Sequence, residues 1–128
     1  MRNISFSMTT PQFRAKEKTV TRRFGWWNLN PGEVLWGCEK TMGLKKGESI
    51  VRIHQIRIIT VRPQRLDSMA SDRAYGIAEL RKEGYPFGIK DPAEFVSMLA
   101  RLSGKPLDAL VNRIEFEYFT GVYKKGVG

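Results

Sequence analysis

An α+β fold, a small mixed β-barrel carrying two or three short helices, is predicted by three features of the sequence. About five segments alternate apolar and polar residues with the two-residue period of a half-buried strand. Between them lie stretches with helical spacing, capping residues and glycine stops. At 128 residues the chain has the size of one domain, and several antiparallel strands in so short a chain protect their edges best by closing the sheet.

Ile4-Ser5-Phe6-Ser7-Met8 alternates and reads as the first strand. Thr9-Thr10-Pro11 supplies a hydroxyl cap with proline just inside the next element, so a short helix is expected to about Lys16. Thr19, Val20 and Thr21 are β-branched and favour extended backbone from Lys18 to Arg22. In a straight strand Lys18, Val20 and Arg22 share one face and Thr19, Thr21 and Arg23 the other, unless a bend at the helix junction re-aims them.

Asn28 to Gly32 is turn chemistry. Val34, Trp36 and Cys38 then alternate with Leu35 and Gly37, with Trp36 assigned to the core, and the Gly43–Gly47 stretch is an exposed basic loop carrying Lys45 and Lys46. From Ile50 to Val61 the chain is rich in β-branched residues, and the apolar phase slips between Ile53 and Ile56, which predicts a bulge near His54-Gln55. Pro63 is expected to end that strand. Ser71 to Lys82 suits a helix stopped by Gly84, and Asp91-Pro92 opens another with Phe95, Met98, Leu99 and Leu102 facing inward before Gly104. Ile114, Phe116 and Tyr118 alternate with charged neighbours in a last strand with one buried face. Residues 1–128 are thus expected to form a single domain, with a core over about 4–119 and a frayed tail over 120–128.

Charge is the strongest compositional signal. Lys and Arg total 22 against 13 Asp and Glu, a net charge of +9, which implies an anionic partner. Nucleic acid is the commonest one, because each phosphate neutralised by Lys or Arg releases condensed counterions. One cysteine and one histidine exclude an internal disulfide and make a poor zinc site, so neither metal nor cofactor is expected. His54 has no G-x-S-x-G motif to support a Ser-His-Asp arrangement. With no apolar run of roughly 18 residues and no signal-peptide pattern, a cytoplasmic location without membrane attachment is expected.

Basic residues concentrate at Arg14, Lys16, Lys18, Arg22 and Arg23, and Phe24, Trp26 and Trp27 follow at once. That combination suits phosphate contacts beside stacking platforms for bases. In extended chain the two adjacent tryptophans face opposite ways, so at least one is expected to be buried. Lys16, Lys18, Thr21, Arg22, Arg23, Trp26, Lys45 and Lys46 are the residues expected to contact nucleic acid.

The Lys18-Thr19-Val20-Thr21-Arg22-Arg23 string is followed by a Pro31-Gly32-Glu33 turn, a strand, the long apolar strand and a Lys82-Glu83-Gly84-Tyr85 segment after a helix. The helix at Pro92–Leu102 and the closing Ile114-Glu115-Phe116 strand complete the order. Across roughly residues 4–119 this arrangement resembles the ASCH domain family of the PUA-like superfamily. The resemblance implies a barrel whose cleft, lined by the Lys-Thr-x-Thr-Arg segment and the Glu-Gly region, takes RNA or a nucleoside. Some members resemble amidohydrolases that remove the acetyl group from acetylcytidine, and their catalytic set falls on Lys18, Thr21 and Glu83, with a further arginine at Arg23. Lys16 stands where the family commonly has glycine, and Arg22 where the amidohydrolase pattern has an apolar residue.

The three residue types could support amide hydrolysis, with a lysine of lowered pKa as base toward a threonine hydroxyl or a water and a glutamate passing the proton to the leaving nitrogen. Arg22 and Arg23 would depress the Lys18 pKa and Glu83 would raise it, a balance that residue types leave open. The expected function is a nucleic-acid-binding module for RNA or a nucleotide, with DNA also open. Its alternatives are the acetylcytidine amidohydrolase and an accessory protein, of the kind found in phage and prophage genomes, that binds an acidic protein.

Overall fold

A computed structural model describes residues 1–121. Most of the tail expected to fray lies outside the described residues. The chain builds β1 (Asn3–Ser5), α1 (Thr10–Arg14), β2 (Val20–Arg23), β3 (Val34–Cys38) and the long β4 (Arg52–Arg65). It continues with α2 (Ser68–Ser71), α3 (Arg73–Lys82), a 3-10 turn at Pro86–Gly88, α4 (Pro92–Ser103) and β5 (Leu110–Tyr118). The α+β expectation holds, with four α-helices among the described residues in place of two or three.

All five strands form one mixed sheet in the order β1-β3-β4-β5-β2, with β1 parallel to β3 and the other pairs antiparallel. Its ladder is open, with β1 and β2 as the edges. Two irregularities fall on β4. Opposite Gly37 and Cys38 the register skips Ile53, one residue before the predicted slip, and opposite Glu115 and Phe116 it skips Ile59. Each extra residue bends the strand and strengthens its twist.

The sheet is covered on both sides. On one face Ile4, Leu35, Ile56, Ile58, Ile114 and Phe116 pack around Phe6 and Phe13, whose rings stack at 4.1 Å. On the other, Leu66 and Val111 meet Met69, Leu80, Phe95, Val96 and Met98 from α2, α3 and α4. β5 is therefore buried on both faces, not one: Ile114 and Phe116 enter the first core while Val111 enters the second and Arg113 is buried as well.

Several local expectations are corrected. α1 stops at Arg14 because Ala15 caps it and Lys16 takes a positive φ of 61°. β4 continues through Pro63, since β3 pairs only with Arg52–Arg57 and leaves one side of the later strand without a ladder that proline could break. The helix expected from Ser71 is divided at Asp72, whose extended backbone ends α2 and whose carboxylate accepts from the Tyr75 N–H to start α3. Trp36 is half-buried with the Arg52 guanidinium 5.6 Å over its ring, so it is Leu35 that enters the core. Leu102 is 60% exposed, and Val96 and Ala100 are buried on α4 along with Phe95 and Met98.

Gly76 on α3 marks where three helices meet: a Cβ there would land on the Met69 carbonyl oxygen and 2.7 Å from the Pro92 Cβ. Backbone cannot give way as a flexible side chain can. Gly76→Ala should lower unfolding free energy by about 1–3 kcal/mol. Gly25→Ala, with open space around it, should stay within about 0.5 kcal/mol. Urea unfolding of both variants checks the difference.

Candidate functional site

The site starts at the junction of α1 and β2. After the left-handed turn at Lys16, the Thr19 N–H donates to the Lys82 carbonyl (2.8 Å), and the Tyr118 hydroxyl donates to the Lys18 carbonyl. These two bonds tie the approach to β2 between the end of α3 and the end of β5. Gly84 then turns the chain with φ 82°, where a Cβ would sit 3.0 Å from the Gln12 Cβ and 3.4 Å from the Lys18 Cβ. The left-handed φ and the close approach to Gln12 both favour glycine at this turn, which brings Glu83 beside Lys18.

Glu83 and Lys18 meet there, both buried. The Lys18 Nζ donates to the Glu83 carbonyl oxygen (2.8 Å) and to its Oε1 (2.9 Å). Arg22 reaches the other oxygen, Oε2, from Nη1 at 2.8 Å. Burial pushes the Lys18 pKa down; the facing Glu83 carboxylate opposes this, and the Arg23 and Arg22 charges add to it. Desolvation thus decides the balance that residue types left open.

Behind Lys18 stands a larger ionic network. Arg22 on β2, Arg113 on β5 and Arg62 on β4 are direct cross-strand neighbours, a row of three arginines. Like charges directly opposite one another destabilise a sheet. α3 answers the row with Tyr75, Glu79 and Glu83, spaced four residues apart and so on one helical face. The Glu79 carboxylate accepts from Arg22 Nη2 and from Arg113 Nε and Nη2, while the Tyr75 hydroxyl accepts from Arg62 Nη2 (2.9 Å). Gln64 Oε1 takes two more bonds from Arg22, at 3.1 and 3.0 Å. Glu115 pairs with Arg113 at 3.2 Å, and the half-exposed Lys82 lies 3.5 Å from Glu79. Burial alone would raise the Glu79 pKa, yet the hydrogen bonds and charges of Arg113 and Arg22 hold it at about 2.

Beside this network opens a cleft of about 140 Å³. Its polar wall is Lys18, Thr21, Arg22, Arg23 and Glu83; its apolar wall is Phe6, Met8, Pro86, Phe95 and Leu99; and Ser5, Ser7 and Thr9 complete the rim. Thr21 Oγ1 accepts from Arg23 Nε at 2.9 Å, and Arg23 Nη2 donates across to the Ser5 carbonyl. No hydrogen bond joins Lys18 to Thr21 among the described residues, and Glu83 spends both oxygens on cations. The threonine hydroxyl is bonded by Arg23 and by neither Lys18 nor Glu83.

Of the residues singled out in the sequence, Lys18, Thr21, Arg22, Arg23 and Glu83 come together at the cleft. Arg22 faces the cleft with a side chain that is 0% exposed and committed to Glu79, Glu83 and Gln64, so its donors are spent inside the protein. Lys16, Trp26, Lys45 and Lys46 are absent from the lining. Trp26 packs against the first core with the Arg2 guanidinium 5.1 Å over its ring, whereas Trp27 is 54% exposed. Lys45 and Lys46 lie exposed on their loop, where the Lys45 N–H donates to Glu48 Oε1 (2.7 Å). Sequence reasoning missed Glu79, Tyr75, Gln64 and Arg113. A signal existed: Tyr75, Glu79 and Glu83 repeat at helical spacing on a helix with little apolar surface.

Among the described residues no group of three or more His, Cys, Asp or Glu side chains is placed to hold a metal, and no helix is long and apolar enough to cross a membrane. Compared with protein-family models, curated proteins and solved structures, the chain has no match.

The depressed Glu79 pKa fixes the sign of an acid response. Because the folded carboxyl binds its proton less readily than the unfolded one, its stabilisation is complete above the ordinary glutamate value of 4.5 and fades as pH falls toward about 2. Glu79→Gln should cost about 3–5 kcal/mol at neutral pH, as expected for a broken buried ion pair. The gap between variant and wild type should shrink through that acid window. Equal gaps at neutral pH and near pH 2, measured by urea unfolding, would contradict the assignment.

Proposed function

We propose that the chain is an ASCH-type, PUA-like module whose cleft takes a nucleotide, free or as part of RNA. The observation that carries this reading is the meeting of Lys18, Thr21, Arg23 and Glu83 at one cleft with an apolar wall. Those are the positions on which the sequence resemblance puts the ligand-facing residues. In this reading the open sheet is an incomplete barrel, with the Arg23 bond to the Ser5 carbonyl bridging its two edge strands. A volume of about 140 Å³ is below the roughly 300–1,000 Å³ of drug-sized pockets, which suits one base or nucleoside and not a length of strand.

The amidohydrolase alternative has one observation in its favour, the burial that lowers the Lys18 pKa toward that of a usable base. The hydrogen bonds favour binding, because Lys18 points its ammonium at Glu83 and not at Thr21.

Leu99→Trp would fill the cleft without touching a charge. Affinity for short single-stranded RNA, read by fluorescence anisotropy, should drop at least about tenfold, a loss of about 1.4 kcal/mol, while the thermal midpoint stays near that of the wild type. Wild-type affinity should also weaken with salt, by a log–log slope of about −0.7 per phosphate engaged. Undiminished binding by Leu99→Trp would remove the cleft from the reading. Chromatographic turnover of acetylcytidine that Lys18→Ala abolishes would replace binding with hydrolysis.

A further inference from the structure

Of the cations that line the cleft, one has no carboxylate partner among the described residues. Lys18, Arg22 and Arg113 are matched by Glu83, Glu79 and Glu115 through direct ion pairs. Arg23 has no carboxylate within ion-pair reach among the described residues. Its Nε goes to the Thr21 hydroxyl, its Nη2 to the Ser5 carbonyl, and its guanidinium lies 5.1 Å over the Phe6 ring. All three partners are neutral.

Two sets of donors are left over. Arg23 Nη1 has no hydrogen-bond partner among the described residues, and Lys18, with three N–H groups, uses two of them on Glu83. Both side chains line the cleft. The Glu83 carboxylate lines it too, but its charge is shared between Lys18 and Arg22. The cleft therefore offers a ligand cationic donors in excess of acceptors. The Arg23 guanidinium is partly buried with no anion beside it, an unfavourable setting for a charge, and burial lowers its pKa to about 10.

We propose that Arg23, with the remaining N–H of Lys18, forms an anion subsite that takes the phosphate of a nucleotide whose base or sugar lies against Phe6, Phe95 and Leu99. The subsite rests on the nucleotide reading of the cleft and sharpens it. Phosphate recognition passes from the pair of adjacent arginines to one of them: Arg22 belongs to the framework and Arg23 to the ligand. A single negative charge is what the cleft lacks. Charge-assisted bonds to a guanidinium are the stronger kind, and arginine presents its N–H groups in a fork that fits phosphate oxygens.

Isothermal titration of the full chain with the four ribonucleosides, their 5′-monophosphates and inorganic phosphate tests the subsite. At least one monophosphate should bind about tenfold or more tightly than its own nucleoside, the scale of one charged hydrogen bond. Arg23→Gln should erase that preference, and Arg23→Lys should retain part of it. A nucleoside that binds as well as its monophosphate, or an undiminished preference in Arg23→Gln, overturns the subsite and leaves the nucleotide reading in place. Arg23-dependent binding of inorganic phosphate, with no gain from the attached nucleoside, supports the subsite and removes the nucleotide. Silence from every ligand removes both. Should the variants unfold through loss of the Ser5 contact, the wild-type comparison of nucleoside with nucleotide decides alone.

Discussion

The grip of Arg22 and Arg113 on Glu79 is the interaction on which the arrangement depends. Two arginines in register on adjacent strands, with Arg62 in line beyond them, would repel one another if nothing were laid across them. α3 can lie across them because it presents Tyr75, Glu79 and Glu83 along one face. The helix brings few apolar contacts of its own: Leu80 is buried, while Ile77 is 47% exposed. Buried ion pairs contribute little net stability when weighed against well-packed hydrophobic residues, but breaking one is expensive. Here their effect is to fix position. Once Glu79 is clasped, Glu83 one turn later falls beside Lys18, and the polar wall of the cleft is set by the docking of the helix.

The same network sorts two adjacent arginines into different work. Alternation along β2 sends Arg22 toward α3 and Arg23 toward Phe6 on the other face of the sheet. Arg22 then meets two carboxylates, a glutamine and a tyrosine. Arg23 meets a hydroxyl, a main-chain carbonyl and an aromatic face. Of the two, only Arg22 has its charge met by carboxylates of the protein among the described residues.

Much of this was legible in the sequence where a local rule sufficed. Asp91-Pro92 and Gly104 do bound α4, with Gly104 at φ 66°, and the apolar slip on β4 does mark a bulge close to its predicted place. Convergence of Lys18, Thr21 and Glu83 on one cleft could be expected only through the family resemblance, since 65 residues separate Lys18 from Glu83. Local rules failed where a partner outside the window decided. Pro63 reads as a strand end, yet nothing pairs with its N-side, so β4 runs on. Trp36 reads as core by size, yet the sheet turns Leu35 inward. Arg113 looked like a solvated charge on an alternating strand, because its partner Glu79 lies 34 residues away. Burial of a charge is a property of the pair, and one strand's pattern carries half of it.

Openness of the sheet and existence of the cleft have one cause. β1 has only three residues and spends them on a parallel pairing with β3. The chain then leaves the sheet through Phe6, which stacks on Phe13, and no residue remains to pair with the outer edge of β2. What spans the interval is a side chain, Arg23, bonded to the last carbonyl of β1. Had a longer β1 closed the ladder, backbone would occupy the space that Ser5, Phe6 and Met8 now share with Lys18 and Thr21. An unpaired edge exposes backbone donors and acceptors that invite association. Here a cationic side chain and an aromatic ring cover that edge, and they leave beside it a concavity whose polar groups are already oriented by the ionic network behind.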